Sequence, residues 1–553
     1  MEATEQKTGV SVRWLVAGTF SETPTGRRMR LSANELPAAL EAAKVGARAT
    51  VTDRLGGDST RAFDVSFPTF KSFQTSEVVA NIAVLKELAA LAASLAHTDP
   101  TKRPDPQTAI ARVIELVGDG KLATALRAKL GVAKPAPAAT EVVAPSAPAS
   151  KGLSLDDMLA SPTPAVAAPT ASSAIGSFLK AVREPAVPAT TPSAGRAARD
   201  LVEAEVFATA VDVLKEPGVA ALESAWRGLK LLVDASPTGA GMAVDVLDVA
   251  PADAVDAVRA DLAETEQDEL PDAVFVHDLA GDVDALSAWA NLGADHDIPV
   301  IAGVTYGFFG VADAGAVASR IEDEGGGLPA EWKALRVDEA SRWLSVVSNR
   351  VVLRLEGTGA GKRVVFGSPV MALGAMLAAS YQRTGAYAQV VGENVSMAAP
   401  GSWELPSGRD AGMLVPTEAF YSATAQSTLA RLGIIGFGSR RNSSNLVLKS
   451  VPTAREGEDL VPLPAQILTG RIVRFARWVL AQLPAKAPEP EVKLLFEQAA
   501  TVFLFPAAAE AAKFEAQVVT DKDGARSAVL QVSAHPSLAG IPFHLAFSLP
   551  LAD

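Results

Sequence analysis

Residues 221–233 read Ala-Leu-Glu-Ser-Ala-Trp-Arg-Gly-Leu-Lys-Leu-Leu-Val, and this stretch decides how the rest of the chain is interpreted. Pro217-Gly218 stands just before it, a dipeptide typical of the start of a new element. Glu223 and Arg227 are four residues apart, in the order that favours an ion pair on the polar side of a helix. Apolar residues recur at helical spacing and predict an amphipathic helix with a core-facing tryptophan: Leu222, Trp226, Leu229 and Val233.

Composition restricts the class of protein. A chain of 553 residues is too long for a single hydrophobic core, so several domains are expected. Hydrophobic residues make up 48% and charged residues 20%, which is typical of a globular protein rather than a disordered one. The net charge is −13, and the sequence has no run of Lys and Arg with interleaved aromatics. We therefore predict that the protein does not bind nucleic acid.

Candidate catalytic and metal-binding motifs are weak. The sequence has no cysteine, which excludes disulfides and thiolate chemistry, and its five histidines show no metal-binding spacing. Residues 357–362 suggest a phosphate-binding loop, but Glu356 replaces the first glycine and Arg363 replaces the Ser or Thr that would hold Mg²⁺. A glycine-rich hairpin fits better. We predict no catalytic, cofactor-binding or metal-binding residue, and hence no enzyme.

Targeting signals are equally scarce. Residues 1–8 are polar and acidic, unlike a secretory signal, and no uncharged apolar run approaches the roughly 20 residues of a membrane helix. The expectation is a cytoplasmic protein that does not insert directly into a membrane.

Strands alternate with helices over much of the chain and predict a mixed α/β fold with mixed sheets flanked by helices. Residues 133–200 differ, because Ala, Pro, Ser and Thr dominate there and predict an extended linker. Two short amphipathic islands interrupt this linker, at 152–161 and 172–183. The chain is thus divided into a first lobe (1–132), the linker (133–200) and a second lobe (201–553).

The second lobe resembles the large subunit of the contractile sheath of type VI secretion systems. The match centres on Leu222, Trp226, Arg227, Gly228 and Leu229, which reproduce a Leu-Glu-x-x-Trp-Arg-Gly-Leu motif. Pro416-Thr417-Glu418 is similar to a Pro-Thr-Glu motif of that subunit. The family's alternating final strand is matched by Ile541, Phe543, Leu545, Phe547 and Leu549.

The first lobe resembles the small sheath subunit. Gly18-Thr19-Phe20 stands where that family has Gly-Asp-Phe, and residues 49–55 are similar to its Arg-Val-Asp-Asn-Arg-Leu strand. Residues 67–77 are similar to its Phe-x-Ser-x-x-Asp-Phe-x-Pro segment. The chain is therefore interpreted as a natural fusion of both sheath subunits, small then large.

The resemblance implies a structural subunit that polymerises helically around an inner tube and contracts to propel it, with no cofactor. Implied partners are other copies of the chain, the inner tube protein and the baseplate. Two departures keep an alternative open. Residues 392–397 replace a glycine-rich segment, and residues 1–9 lack the alternation of the usual additional first strand. The alternative is a non-filament sheath-like adaptor, cap or baseplate-associated paralogue.

Two segments are candidate interaction sites. The island at 152–161 is too short to be a stable isolated helix, and it resembles the segment of large sheath subunits gripped by an AAA+ unfoldase of the ClpV type. Its anchors would be Leu153, Leu155, Met158 and Leu159; docking on its own domain, or no role beyond linker, are the alternatives. The final strand, from Ile541 to Leu549, is predicted to pair between protomers.

Overall fold

The fold is taken from a computed structural model. It describes residues 12–57, 59–132, 192–237, 241–324, 327–357, 362–392, 395–457, 461–484, 486–500, 504, 509–520 and 525–551.

The strands in the first part of the chain are β1 (Val12–Gly18), β2 (Arg28–Leu31), β3 (Gly46–Thr52), β4 (Thr60–Ser66), β5 (Met242–Asp248), β6 (Ala273–Ala280), β7 (Val300–Val304), β8 (Leu344–Ser348), β9 (Val351–Glu356) and β10 (Arg363–Gly367). Short strands follow: β11 (Met397–Ala398), β12 (Trp403–Glu404), β13 (Leu414–Val415), β14 (Ile434–Gly436), β15 (Gly438–Ser439) and β16 (Asn445–Val447). The last are β17 (Ala512–Thr520), β18 (Arg526–Ala534) and β19 (Phe543–Pro550).

The helices up to β5 are α1 (Leu36–Ala42), α2 (Thr75–Asn81), α3 (Ala83–Leu95), α4 (Pro106–Val117), α5 (Lys121–Leu130), α6 (Pro192–Lys215) and α7 (Pro217–Asp234). Those after it are α8 (Ala254–Glu264), α9 (Val283–His296), α10 (Gly315–Glu324), α11 (Ala330–Val337), α12 (Pro369–Thr384), α13 (Ala423–Arg431), α14 (Leu463–Gln482), α15 (Glu489–Ala499) and α16 (Pro536–Ala539).

The chain forms two compact units whose limits differ from the sequence boundaries at 132 and 201. The first unit comprises residues 1–50, 62–78 and 211–553, and the second comprises residues 51–61 and 79–210.

A seven-stranded sheet in the order β14-β8-β7-β6-β1-β5-β2 forms the centre of the first unit. Its strands run parallel except for β2, which is antiparallel to β5. Strand β1 lies between β5 and β6, with Val12 opposite Met242 and Trp14 opposite Ala273. The N-terminal strand is therefore an interior strand of a sheet built mostly from residues after 240.

Helices cover both faces of this sheet, as expected for parallel strands. On one face, α8 and α9 pack over a core that includes Leu15, Val274 and Val300. On the other face, α7 packs closely against α12 at Gly374. A side chain at this position would meet Leu232 of α7 and Phe275 of β6, so glycine permits the close approach.

A second sheet lies near the end of the first unit. Strands β17, β18 and β19 are antiparallel in that order, and α14 and α15 contribute to the same apolar core. Buried ion pairs connect α14 to the start of β6, where Asp272 accepts from Arg471 at 3.1 Å and from Arg474 at 2.8 Å. We call β17–β19 the C-terminal sheet.

The second unit consists mainly of α3, α4, α5 and part of α6. The turn at 53–57 belongs to it, and there Asp53 accepts hydrogen bonds from the backbone N–H groups of Leu55 and Gly56. The carbonyl of Leu55 accepts from the N–H of Leu122 at 3.1 Å. A side chain at Gly120 would clash with the backbone of Gly56, so this contact requires glycine.

The predicted mixed α/β class, with a mixed sheet flanked by helices, is confirmed. Apolar spacing in the sequence predicts one helix from Glu77 to about Ala96 and another from Leu201 to Leu214, and both predictions are wrong in their boundaries. The helix predicted over 77–96 is divided at Ile82, whose extended backbone (φ −86°, ψ 113°) ends α2 and precedes α3. The helix expected from Leu201 begins at Pro192, because proline at a first helical position loses no hydrogen bond.

In the described part of the chain, no single helix is long and apolar enough to cross a bilayer; only the bent pair α2 and α3 passes together, on length and composition. The same residues contain no group of three His, Asp or Glu side chains that could hold a metal ion.

Candidate functional site

The tryptophan helix meets the N-terminal segment directly. Trp226 in α7 is fully buried, and its Nε1–H donates to the carbonyl oxygen of Phe20 at 2.8 Å. The two rings pack edge to face with centroids 6.2 Å apart. Phe20 follows β1, so this bond connects Gly18-Thr19-Phe20 to the Leu-Glu-x-x-Trp-Arg-Gly-Leu motif.

The other residues of that motif hold α7 in place. Leu222 and Leu229 are buried. A side chain at Gly228 would meet Cγ of Met371 at 3.2 Å, so the glycine allows α12 to approach closely. The motif therefore has a packing role on one face of the main sheet.

The predicted pair in the middle of α7 lies in a largely enclosed environment. Glu223 and Arg227 do form the predicted pair, with Nε and Oε1 2.7 Å apart, but Glu223 is completely buried. The physical reason is a second cation, Arg363 of β10, which also pairs with Glu223. Arg363 in turn lies 2.7 Å from Glu356 at the end of β9. Paired charges can be buried where lone ones cannot.

The environment shifts the pKa of three of these side chains, Arg363, Glu356 and Arg227. Burial opposes the charge on Arg363, but Glu223 and Glu356 outweigh it and raise the pKa of Arg363. Burial also opposes the charge on Glu356, yet the N–H of Thr75 and the guanidinium of Arg363 lower the pKa of Glu356. For Arg227 desolvation wins, and its pKa is lowered.

The same charges hold the segment that resembles the small subunit. Arg227 donates to the carbonyl of Phe70 at 3.3 Å, and Arg363 donates to the carbonyl of Phe73 at 2.9 Å. The N–H of Thr75 donates to Glu356 at 2.9 Å. We call this set the motif junction; its residues are Phe20, Phe70, Phe73, Thr75, Glu223, Trp226, Arg227, Glu356 and Arg363.

The glycine-rich stretch does not lead into a helix. It connects β9 to β10, which pair antiparallel with Arg363 opposite Glu356. A phosphate-binding loop requires a strand followed by a helix, so that hypothesis is excluded by topology.

The predicted final strand is present as β19, one edge of the C-terminal sheet. Phe543 is buried, and three further apolar residues of β19 pack against the core: Leu545, Phe547 and Leu549. Ile541 precedes the strand and contacts the same core. The predicted alternation therefore describes one face of the strand, whereas inter-protomer pairing would use its edge.

The register shows which groups that edge presents. The N–H of Leu551 donates to the carbonyl of Arg526 in β18, at 2.9 Å. Successive residues of a strand direct their N–H and C=O groups to opposite sides. Odd-numbered residues of β19 therefore direct these groups toward β18, as Leu551 does. The even-numbered residues His544, Ala546 and Ser548 direct them away from β18, toward the open edge.

The unfoldase-binding candidates Leu153, Leu155, Met158 and Leu159 lie outside the described residues. The sequence did not predict that Glu356 and Arg363 belong to the motif junction. The one available signal was that both are charged residues at positions where a phosphate-binding loop needs Gly and Ser or Thr. These two charged residues interrupt the apparent phosphate-binding loop. In the structure Arg363 is buried against Glu223, and Glu356 is half-buried and accepts from the N–H of Thr75.

No protein-family model matches the sequence, and no curated protein matches it. Similar solved structures include chains from sheath and baseplate assemblies of contractile injection systems. The anti-feeding prophage baseplate is 15% identical over 60% of this chain and 77% of that chain, with a TM-score of 0.32. The contracted helical sheath of the same prophage is 13% identical over 59% and 78%, with a TM-score of 0.32. The contracted PVC sheath complex of an extracellular contractile injection system is 9% identical over 60% and 77%, with a TM-score of 0.34.

Proposed function

We propose that this protein is a structural subunit of the contractile sheath of a type VI secretion system, with both sheath subunits fused in one chain. The observation that carries the proposal is the motif junction. Segments that resemble two different sheath subunits are joined there by the Trp226–Phe20 bond and the buried pairs around Arg363. A fusion whose halves must act as one building block requires such a connection.

In this proposal the chain assembles in the cytoplasm as a helical homopolymer around an inner tube, starting from a baseplate. Contacts between copies would be heterologous and would not close, which generates a filament. The open edge of β19 supplies one such contact, because unpaired backbone groups accept an added strand. Contraction would release strain stored in the extended packing and requires no bound cofactor.

The linker island would complete the cycle. Leu155, Met158 and Leu159 would dock in a groove of a ClpV-type unfoldase once contraction exposes them. Each buried apolar anchor contributes about 1.5–3 kcal/mol, so replacing Leu155 and Leu159 by Ser should weaken binding at least tens-fold. The measurement is titration of the 152–161 peptide, wild type and variant, against the unfoldase N-domain. Equal affinities would leave the island as plain linker.

Electron microscopy of the purified full chain tests the main proposal. Hollow tubes with a cogwheel cross-section are expected for a sheath. Monodisperse particles under all conditions would instead favour the sheath-like adaptor, cap or baseplate paralogue.

A further inference from the structure

A cavity of about 480 Å³ lies at the carboxyl end of β6. Strand β5 pairs with one side of β1, and the next strand along the sequence, β6, pairs with the other side. In open parallel sheets, ligands bind outside the carboxyl ends of the strands at the point where the strand order reverses in this way. The volume is also in the usual range for small-molecule sites.

Several elements of the first unit form the walls. The end of β6 contributes His277 and Leu279, the beginning of α7 contributes Pro217, and β10 and the residue after it contribute Phe366 and Ser368. Both apolar and polar side chains thus line the cavity, which suits an organic molecule with one polar end.

Two lining side chains carry polar atoms that have no hydrogen-bond partner among the described residues. Ser368 is 5% exposed and His277 is 6% exposed, and the atoms concerned are Oγ and Nδ1. A buried polar atom left unpaired costs about 1–3 kcal/mol. Burial also lowers the pKa of His277, so its imidazole is neutral at pH 7 and able to pair with a ligand.

Ser368 occupies the N-cap position of α12, where a serine side chain normally accepts a hydrogen bond from the first turn of the helix. It precedes Pro369, the first residue of the 16-residue helix α12, yet its side chain makes no capping hydrogen bond. The amino end of α12 therefore keeps its partial positive charge beside an available hydroxyl group. Such an arrangement favours an anion.

The charges around the cavity agree with an anionic ligand. Lys215 is exposed at the lining, and Arg363 has a buried Nε–H without a partner among the described residues. Both carboxylates in the lining are already engaged. Asp278 accepts from the N–H of Thr19 at 2.9 Å, and Glu223 is held by two arginines. Arg350 is paired with Glu418 at 2.7 Å.

We propose that this cavity binds a small organic phosphate. The phosphate group would lie against Ser368 and the amino end of α12, with Lys215 at the entrance, and the organic part would contact Leu279 and Phe366. The site does not depend on filament formation, so assembled and dispersed protein should bind alike.

Calorimetric titration of the full chain with ribose 5-phosphate and with inorganic phosphate tests the proposal. Saturable binding of the sugar phosphate at one site per chain is expected, with inorganic phosphate competing for it. The double variant Ser368→Ala, Lys215→Gln should weaken binding at least tenfold. The matched control Ser427→Ala, Lys230→Gln changes a half-buried serine and an exposed lysine that do not line the cavity, and it should stay within twofold.

If the double variant does not show the thermal transition of the native protein, the single variant Lys215→Gln replaces it in the test, because Lys215 is exposed and its substitution should not unfold the chain. This single variant should weaken binding severalfold. The proposal is overturned by any of three results. These are no saturable binding of ribose 5-phosphate, unchanged affinity in the cavity variants, or binding of succinate as tight as that of the sugar phosphate.

Discussion

The motif junction buries charged groups from distant segments of the chain and pairs them with one another, whereas the C-terminal sheet buries apolar faces and leaves an edge open. At the junction, Glu223 is fully enclosed between Arg227 and Arg363. In the sheet, no described strand pairs with the outer edge of β19. The difference teaches that contacts within one chain can be closed by paired charges, whereas an edge proposed to accept a strand from another copy must stay open.

The comparison predicts that junction variants change the stability of the single chain and that edge variants change its assembly. The largest loss of stability is expected from Arg363→Met, which leaves Glu223 buried with one cation fewer. Breaking a buried pair in this way costs about 3–5 kcal/mol. Urea unfolding of Arg363→Met and wild type would measure this difference in the free energy of unfolding. The exposed pair of Lys230 and Asp234 on the same helix is the control, and Lys230→Met should cost less than about 0.5 kcal/mol.

A double variant sharpens this prediction. Glu223→Leu combined with Arg363→Met replaces the pair by apolar groups, and such replacements are often neutral. It should recover only part of the stability lost in Arg363→Met, because Arg227 also loses Glu223 and Glu356 still lacks Arg363. If the double variant is as unstable as Arg363→Met, the uncompensated carboxylate of Glu223 is not the cause of the lost stability, and the prediction is wrong.

Trp226→Phe should have the next largest effect. It removes the donor to the carbonyl of Phe20 and leaves that buried oxygen unpaired, at a cost of about 1–3 kcal/mol. Hydrogen exchange over residues 12–31 should become faster. Trp332→Phe is the matched control, because Trp332 is also buried and donates to the carbonyl of Leu432 at 3.0 Å. Equal exchange of residues 12–31 in both variants would contradict the proposed role of the Trp226 bond.

A smaller effect is expected from Glu356→Gln and depends on pH. The pKa of Glu356 is lowered in the folded chain, so its stabilisation is present above the ordinary value of 4.5 and is lost as the pH falls below it. The variant should be less stable than wild type at pH 7 and should lose less further stability between pH 5 and pH 3. Glu331→Gln, at an exposed position of α11, controls for the removed charge. If the free energy of unfolding depends on pH in the same way for wild type and Glu356→Gln, Glu356 does not contribute to the stability of the motif junction.

How far the sequence determines these two regions can be stated residue by residue. Periodicity alone predicted α7 and the alternation of β19, since each depends on contacts that repeat along one element. The partner of Glu223 is 140 residues away in Arg363, a separation at which no local pattern operates. The break at Ile82 also lacks a local signal, because neither Gly nor Pro is present there. The interior position of β1 depends on pairing with strands more than 200 residues later.

The smallest change in stability, and the largest in assembly, is expected from Ala546→Pro. Ala546 directs its N–H toward the open edge of β19, while the bonds to β18 use the neighbouring residues, so proline removes a donor that only an added strand would use. Chain truncation at Ile541 is a poorer test, because it would also uncover the core beneath Phe543. Unfolding of Ala546→Pro should differ from wild type by less than about 1 kcal/mol, whereas filaments should disappear from electron micrographs. Ala546→Ser keeps the N–H and an exposed side chain of similar size, and it should assemble normally. Filaments of normal length from Ala546→Pro would mean that copies of the chain meet through some surface other than this edge.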